Sequence, residues 1–425
     1  MFNKLRRQIL FFKFHVLHLR GVTAIKKWQT GRLRRLIPMI ASHIPLYAEL
    51  LKKADIRPAE IRTLADLKKL PVTSKAIFLN KPVREYTNRS RSLRGRWAQT
   101  SGSSGAPFNP LRRRHVRLPW YGDSLHYRFL FWDKPWVVRA QGMRIAHIRV
   151  LPNNKLNHLV VPVTDFLNDT ARAVQCIIDF GPHIIESHAS ILFELATYVH
   201  KHGLVLSPRY VVSVSENLSP ATRAVVQEAL HCPIYNRYGL EEFGTVGVEC
   251  AQHNGFHVNC ESFVVEILDD KGTPCSDGVF GRVIVTDLYN DEMPFVRYDT
   301  GDCGKISWTQ CACGLYAPRI WIEGRYGAFL TLGGKRYHHF EFDAALDSFM
   351  DKIISYQVVK LTETNICVRV LPGPAYHTSD GPDIVKRVQA RIGENIAVSV
   401  QCVTSIPRVP QGKSQIIKDE SVSAL

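Results

Sequence analysis

The chain has 425 residues, 45% of them hydrophobic and 22% charged, which is the composition of a globular protein and excludes a disordered one. Its length exceeds what one hydrophobic core usually supports, so a large domain plus a smaller one is expected. The formal charge of +17 admits an anionic partner, while no uninterrupted apolar run reaches the roughly 20 residues that cross a bilayer.

The charge is concentrated at the start. Lys4, Arg6, Arg7, Lys13, Arg20, Lys26, Lys27, Arg32, Arg34 and Arg35 all precede Glu49, the first acidic residue. LRRQILFFKFHVLHLRG sets apolar residues between cations, which suits either a peripheral helix on anionic lipid or a solvated basic helix packed on the protein. Lys13 and His15 interrupt the apolar stretch too early for a signal peptide, and no nucleic-acid-binding signature accompanies the cations. Residues 1–78 read as helical, and LPVTSK from Leu70 marks a turn. TSGSSGAP follows from Thr100, a run whose backbone N–H groups and hydroxyls could converge on phosphate oxygens or could equally form a flexible connector.

From Ala171 to Tyr235 apolar runs alternate with helical periodicity, which predicts a parallel sheet flanked by helices. Ser219 followed by Pro220 predicts a helix start. SFVVEIL, FGRVIVTDL and GKISW then read as antiparallel strands. Beyond Arg325 a small α+β unit begins: AFLTLGGKRY, a helix through FEFDAALDSFM, strands at ISYQVVKL and NICVRVLP, a helix at DIVKRVQARIG and a strand at IAVSVQCV. The expected division is 1–325, including the basic helical start at 1–78, and 326–425, with a linker over 324–327. The overall class is α/β, with parallel and mixed sheets flanked by helices in the large domain and a small mobile α+β C-terminal domain.

The ten cysteines are spread along the chain, which fits reduced thiols in a cytoplasmic protein. Cys250, His253, His257, Cys260, Cys311 and Cys313 offer thiolates and imidazoles, the donors that Zn²⁺ favours in closed tetrahedral sites. Isolated buried thiols would explain them too.

Five segments in fixed order carry a resemblance: TSGSSGAP, YGLEE from Tyr238, RYDTGD from Arg297, EGR ending at Arg325, and PQGK ending at Lys413. With the stretch from Leu36 through SHIPLYAELLKKADIRPAEIRTLADLKKLPVTSKAIF, they resemble the adenylate-forming superfamily of acyl-CoA synthetases, peptide-synthetase adenylation domains and luciferases. The branch indicated is the phenylacetate-CoA ligase-like one, which includes CapK-type proteins of polysaccharide loci. The resemblance covers most of the chain.

It implies an ATP-dependent, AMP-forming ligase that activates a carboxylic acid as an acyl-adenylate and passes it to coenzyme A or a carrier-protein phosphopantetheine arm. Thr100, Ser101, Gly102, Ser103, Ser104 and Gly105 would embrace the ATP phosphates. Glu242, with Glu241 as an alternative, would hold Mg²⁺, a hard cation suited to carboxylate oxygen. Tyr238 and Gly239 would lie against adenine, and Ser215, Glu216 and Asn217 would line its pocket; for the triplet a helix cap is an equal reading. Asp302 would accept from both ribose hydroxyls, Arg325 would reach the ribose or phosphate region, and Lys413 would bridge the substrate carboxylate and α-phosphate. The branch also implies a structural zinc clip of Cys250, His257, Cys311 and Cys313, with His253 in reserve.

Two positions depart from the pattern: Gly327 stands where Asp is usual after the GR pair, and Ala106 where Lys is common before Pro107. They are compatible with a second reading, a low-turnover accessory scaffold in polysaccharide assembly. The identity of the acid, the thiol acceptor and the oligomeric state, a dimer included, stay open at this level.

Overall fold

The structure, a computed structural model, describes residues 13–93, 95–98, 108–112, 144–149, 158–326, 329–407 and 416–421. Two compact units result, 1–138 with 237–326 and 139–236 with 327–425.

In the first unit the described part of the basic start, from Lys13 on, is largely helical. The helix Val22–His43 buries Ile25, Leu33, Leu36, Ile37 and Ile40 at three- and four-residue spacing, while Lys26, Lys27, Arg34 and Arg35 stay exposed. It packs on the strands of its own unit: Gln29 donates to the carbonyls of Cys260 and Phe263, and the Trp28 indole to that of Glu261. Pro45–Lys53 continues the helical run. Tight 3₁₀ turns at Pro58–Glu60 and Leu64–Lys69 then break it, the second held by a capping box of Thr63 and Asp66.

Against these helices lies an antiparallel array in the order Phe263–Leu268, Gly281–Asp287, Tyr298–Ser307, Arg319–Arg325, Phe256–Val258, Gly244–Glu249 and the end of Ile234–Leu240. The sequence set RYDTGD apart from the strand GKISW; the two are one continuous strand. Gly301, at φ +70°, and a register shift between Cys303 and Gly304 let that strand bend without ending.

Arg297 fastens the helical segment to this array. Its guanidinium is buried, paired with both carboxylate oxygens of Glu266 at 3.1 Å, and donates to the carbonyl of Leu70 at 2.5 Å. Thr73, in the turn that LPVTSK marks, exchanges backbone bonds with Arg297 and Asp299.

The second unit contains parallel strands in the order Tyr210–Val214, Ile184–Ser187, Ile145–Arg149 and His158–Pro162; the first two fall in the stretch from Ala171 to Tyr235 where such a sheet was expected, and the last two precede it. The helices Thr170–Phe180, Ala189–Lys201 and Pro220–Leu230 close one face through Val174, Ile177, Leu192, Leu195 and Val226, packed with Ala146, Ile148, Ile185 and Val211. Ser219 caps the last of these by accepting from the Thr222 backbone, and its hydroxyl donates to the carbonyl of Ile354.

The C-terminal part of this unit is a four-stranded sheet, Ala397–Cys402, Asn365–Pro372, Ile353–Thr362 and Ile417–Asp419, covered by the helices His339–Leu346 and Asp380–Ile392. The architecture is thus mixed α/β with a small α+β C-terminal part. Among the described residues, no helix is long and apolar enough to cross a membrane.

Candidate nucleotide and metal sites

Strand pairing assembles a polar cluster in the first unit. On Tyr298–Ser307, the side chains of Tyr298, Thr300 and Asp302 alternate, and register sets Asp302 directly opposite Arg325. Arg325 Nη1 donates to Asp302 Oδ1 and to the Thr300 carbonyl, each at 2.8 Å. The Tyr238 hydroxyl donates to the other oxygen, Oδ2, at 2.7 Å. Asp302 is therefore held from two sides, while an ionised carboxylate has about four lone-pair sites, so acceptor capacity remains.

Two glycines make this approach attainable. A Cβ on Gly301 would stand 2.5 Å from Arg325 Nη2, and one on Gly239 would stand 2.5 Å from the Gly244 carbonyl oxygen in the hairpin that carries Tyr238.

Glu242 is buried at the end of that hairpin turn and accepts from the Tyr298 hydroxyl at 2.8 Å. Burial pushes its carboxyl above the ordinary range, and the Tyr298 hydrogen bond only partly offsets this. Phe243, Phe295 and Tyr298 stack edge to face behind it, at centroid separations from 5.1 to 5.7 Å. A desolvated carboxylate of this kind gains from a nearby cation, so Glu242 fits a Mg²⁺ ligand in chemical type and environment. Burial, reinforced by the Asp302 carboxylate, likewise raises the Tyr238 phenol well above its usual value.

Cys250, His257, Cys311 and Cys313 converge in the same unit, with one donor atom from each within 4.8 Å of the others. Cys250 follows the strand Gly244–Glu249, His257 sits on Phe256–Val258, and the two other thiols lie in the loop before Arg319–Arg325. Sγ of Cys250 and Cys311 are 3.9 Å apart, and Cys313 Sγ is 3.4 Å from His257 Nε2. Tetrahedral bonds of about 2.3 Å to sulfur and 2.0–2.1 Å to nitrogen would set such donors about 3.6–3.8 Å apart, so the residues fit zinc. His257 Nδ1 faces the Ala317 carbonyl at 3.3 Å, which turns Nε2 toward the thiols. His253 lies outside the group, with Nδ1 3.1 Å from Glu249 Oε2.

The second unit holds Ser215, Glu216 and Asn217 just past the strand Tyr210–Val214, with Ser215 at φ +66°. The helix cap falls on Ser219 instead. Glu216 accepts from the Ser190 backbone at 2.9 Å, at the start of a neighbouring helix. Thr100 to Gly105, Ala106, Gly327 and Lys413 lie outside the described residues. Tyr298 and Thr300 escaped the sequence reading as site residues. Their two-residue spacing from Asp302 is the signal that marks them once RYDTGD is taken as a strand.

Residues 329–420 match the family model of the CapK C-terminal domain. The chain is 28% identical over 357 residues to the phenylacetate-coenzyme A ligase of Thermus thermophilus, covering 79% of this chain and 78% of the relative. It is 21% identical over 420 residues to protein CapK of Staphylococcus aureus, covering 93% and 90%. Among solved structures, 2-hydroxyisobutyryl-CoA ligase in the postadenylation state with 2-HIB-AMP superposes with a TM-score of 0.74 at 19% identity, over 95% of this chain and 91% of that one. The resemblance to the phenylacetate-CoA ligase-like and CapK-like branch of the adenylate-forming superfamily thus holds in sequence, and the fold is that of an adenylate-forming CoA ligase.

Proposed function

We propose that the protein is an ATP-dependent, AMP-forming acid–thiol ligase. The observation that carries this is the Tyr238–Asp302–Arg325 arrangement, which fixes a carboxylate between a phenol and a guanidinium on residues that match the superfamily's nucleotide motifs. Asp302 would take the ribose hydroxyls, Arg325 the adjoining ribose or phosphate oxygens, and Tyr238 with Gly239 would border the adenine, as would Ser215, Glu216 and Asn217. The loop Thr100–Gly105 would cradle the phosphates.

Mg²⁺ held through Glu242 would neutralise phosphate charge, and Lys413 would bring a cation to the acid carboxylate and α-phosphate. The carboxylate oxygen then bonds to the α-phosphorus as pyrophosphate leaves; in the second step a thiol of coenzyme A, or of a carrier-protein arm, displaces AMP. Zinc on Cys250, His257, Cys311 and Cys313 would have a structural part, tying the loop before Arg319–Arg325 to the strands behind Tyr238. The exposed cations of Val22–His43 would suit contact with an anionic membrane surface.

ATP–pyrophosphate exchange across a panel of carboxylic acids tests the reading. It requires exchange that depends on one class of acid and falls at least a hundredfold in Lys413→Ala; exchange unaltered by that change would remove the assigned role.

A further inference from the structure

A charged group lies in the second unit, where no motif of the sequence points. Arg144, His183 and Arg209 each stand one residue before a parallel strand. The strands that follow, Ile145–Arg149, Ile184–Ser187 and Tyr210–Val214, are neighbours whose first residues pair in register. The three residues therefore form a row across the leading edge of the sheet, in steps of about 4.8 Å. Backbone bonds fasten the row: the His183 N–H donates to the Arg144 carbonyl and the Arg209 N–H to the His183 carbonyl, each at 2.8 Å. Arg144 and Arg209 are exposed, and His183 is half-buried.

Each member is preset as a donor. The Arg144 backbone N–H donates to His183 Nδ1 at 3.0 Å, so Nδ1 is the acceptor and the proton of the neutral ring is on Nε2. Burial, then the charges of Arg209 and Arg144, hold the imidazole below its ordinary pKa, which keeps it neutral at pH 7. Arg144 Nε donates to the Gly181 carbonyl at 2.7 Å, just past the helix Thr170–Phe180; this orients the guanidinium and covers a carbonyl that would repel an anion. Among the described residues neither guanidinium is paired with a carboxylate. Of the nearby acids, Asp179 accepts from the Gln175 amide at 2.7 Å, and Glu186 stands 3.4 Å from His147 Nδ1.

We propose that Arg144, His183 and Arg209 bind a phosphate-ester dianion, at a site that uses none of the nucleotide residues and does not rest on the ligase reading. A short imidazole N–H between two longer cationic arms matches the three oxygens of a phosphoryl group, and the two guanidiniums balance its charge of about two. A carboxylate brings one charge and two oxygens in a plane, so it would engage only part of the row. The backbone bonds, the Gly181 contact and the imidazole tautomer are set before the ligand arrives, which lowers the ordering cost of binding.

Inorganic phosphate titrated into the full chain at constant ionic strength, against chloride as the matched control, tests this by ¹⁵N-histidine NMR. His183→Gln assigns the signal by its loss. Phosphate should move the His183 Nε2 signal and raise the pKa of that ring, and chloride should do neither. Arg209→Gln should leave thermal unfolding unchanged, because the Arg209 side chain makes no contact that holds the fold, and should weaken phosphate binding at His183 by about tenfold. Glycerol 3-phosphate and vesicles carrying phosphatidic acid then separate the sources. A signal shift with the soluble ester and no Arg209-dependent sedimentation identifies a free phosphate ester; sedimentation lost in Arg209→Gln identifies a lipid headgroup. Phosphate that moves the signal no more than chloride does, Arg209→Gln that binds phosphate as wild type does, or a glutamate peptide as effective as phosphate would each overturn the inference.

Discussion

Asp302 and Arg325 face each other across paired antiparallel strands, and the guanidinium donates to the carboxylate at 2.8 Å while also binding the Thr300 carbonyl. The pair ends a strand that lies one residue before the boundary between the two compact units, at Tyr326. Substrate hydroxyls arriving at Asp302 would meet a carboxylate already oriented by Tyr238, so little reordering would be needed on binding.

Gly301 is the backbone condition for that pair. It has φ +70°, and an added Cβ would fall 2.5 Å from Arg325 Nη2. Gly301→Ala is therefore expected to lower stability by about 1–3 kcal/mol, from left-handed strain plus displacement of Arg325. Thermal unfolding measures the first effect, and weaker nucleotide binding by calorimetry measures the second.

Three buried tyrosines should resist alkali. Burial raises the phenols of Tyr47, Tyr238 and Tyr298, and carboxylates beside the last two add to the shift. A group whose folded pKa is raised contributes stability that is complete below its unfolded pKa and is lost as pH rises toward the folded one. Alkaline titration followed at the phenolate absorbance should accordingly show these three ionising with loss of the fold, above the ordinary value of about 10. Ionisation of all tyrosines near that value in folded protein would contradict this.

Arg297 anchors the helical start to the strands through Glu266 and the Leu70 carbonyl. Arg297→Met would leave the largely buried Glu266 carboxylate without its partner, with an expected cost of up to about 3–5 kcal/mol. Much of this should return in Arg297→Met/Glu266→Leu, where no buried charge is left uncompensated. Denaturant unfolding of the two variants checks both statements.

Near-stoichiometric zinc is expected in protein purified without chelator. Cys313→Ser should lower both the metal content and Tm, since metal affinity is coupled to folding. His253→Ala should leave the content unchanged, because His253 faces Glu249 and not the thiols. Elemental analysis of the three proteins decides.

Much of the architecture could be read from local chemistry. Amphipathic spacing showed the helices Thr170–Phe180 and Asp380–Ile392, and the Ser219–Pro220 pair showed a helix start that the structure reproduces. Ile417–Asp419 was illegible because three residues carry no periodicity; it forms by pairing with Ile353–Thr362. The strand through RYDTGD was hidden by a glycine and two aspartates, residues that normally interrupt strands. Arg144, His183 and Arg209 are separated along the chain and match no spacing rule, so only strand register brings them together.

The ligase reading requires the protein to form an acyl-adenylate. Mass spectrometry of the nucleotide released from denatured protein, after incubation with ATP, Mg²⁺ and the acid selected by exchange, tests it most directly. Wild type should release an acyl-AMP that is lost, together with exchange, in Asp302→Ala. ADP in its place, or acyl-AMP undiminished in Asp302→Ala, would contradict the account.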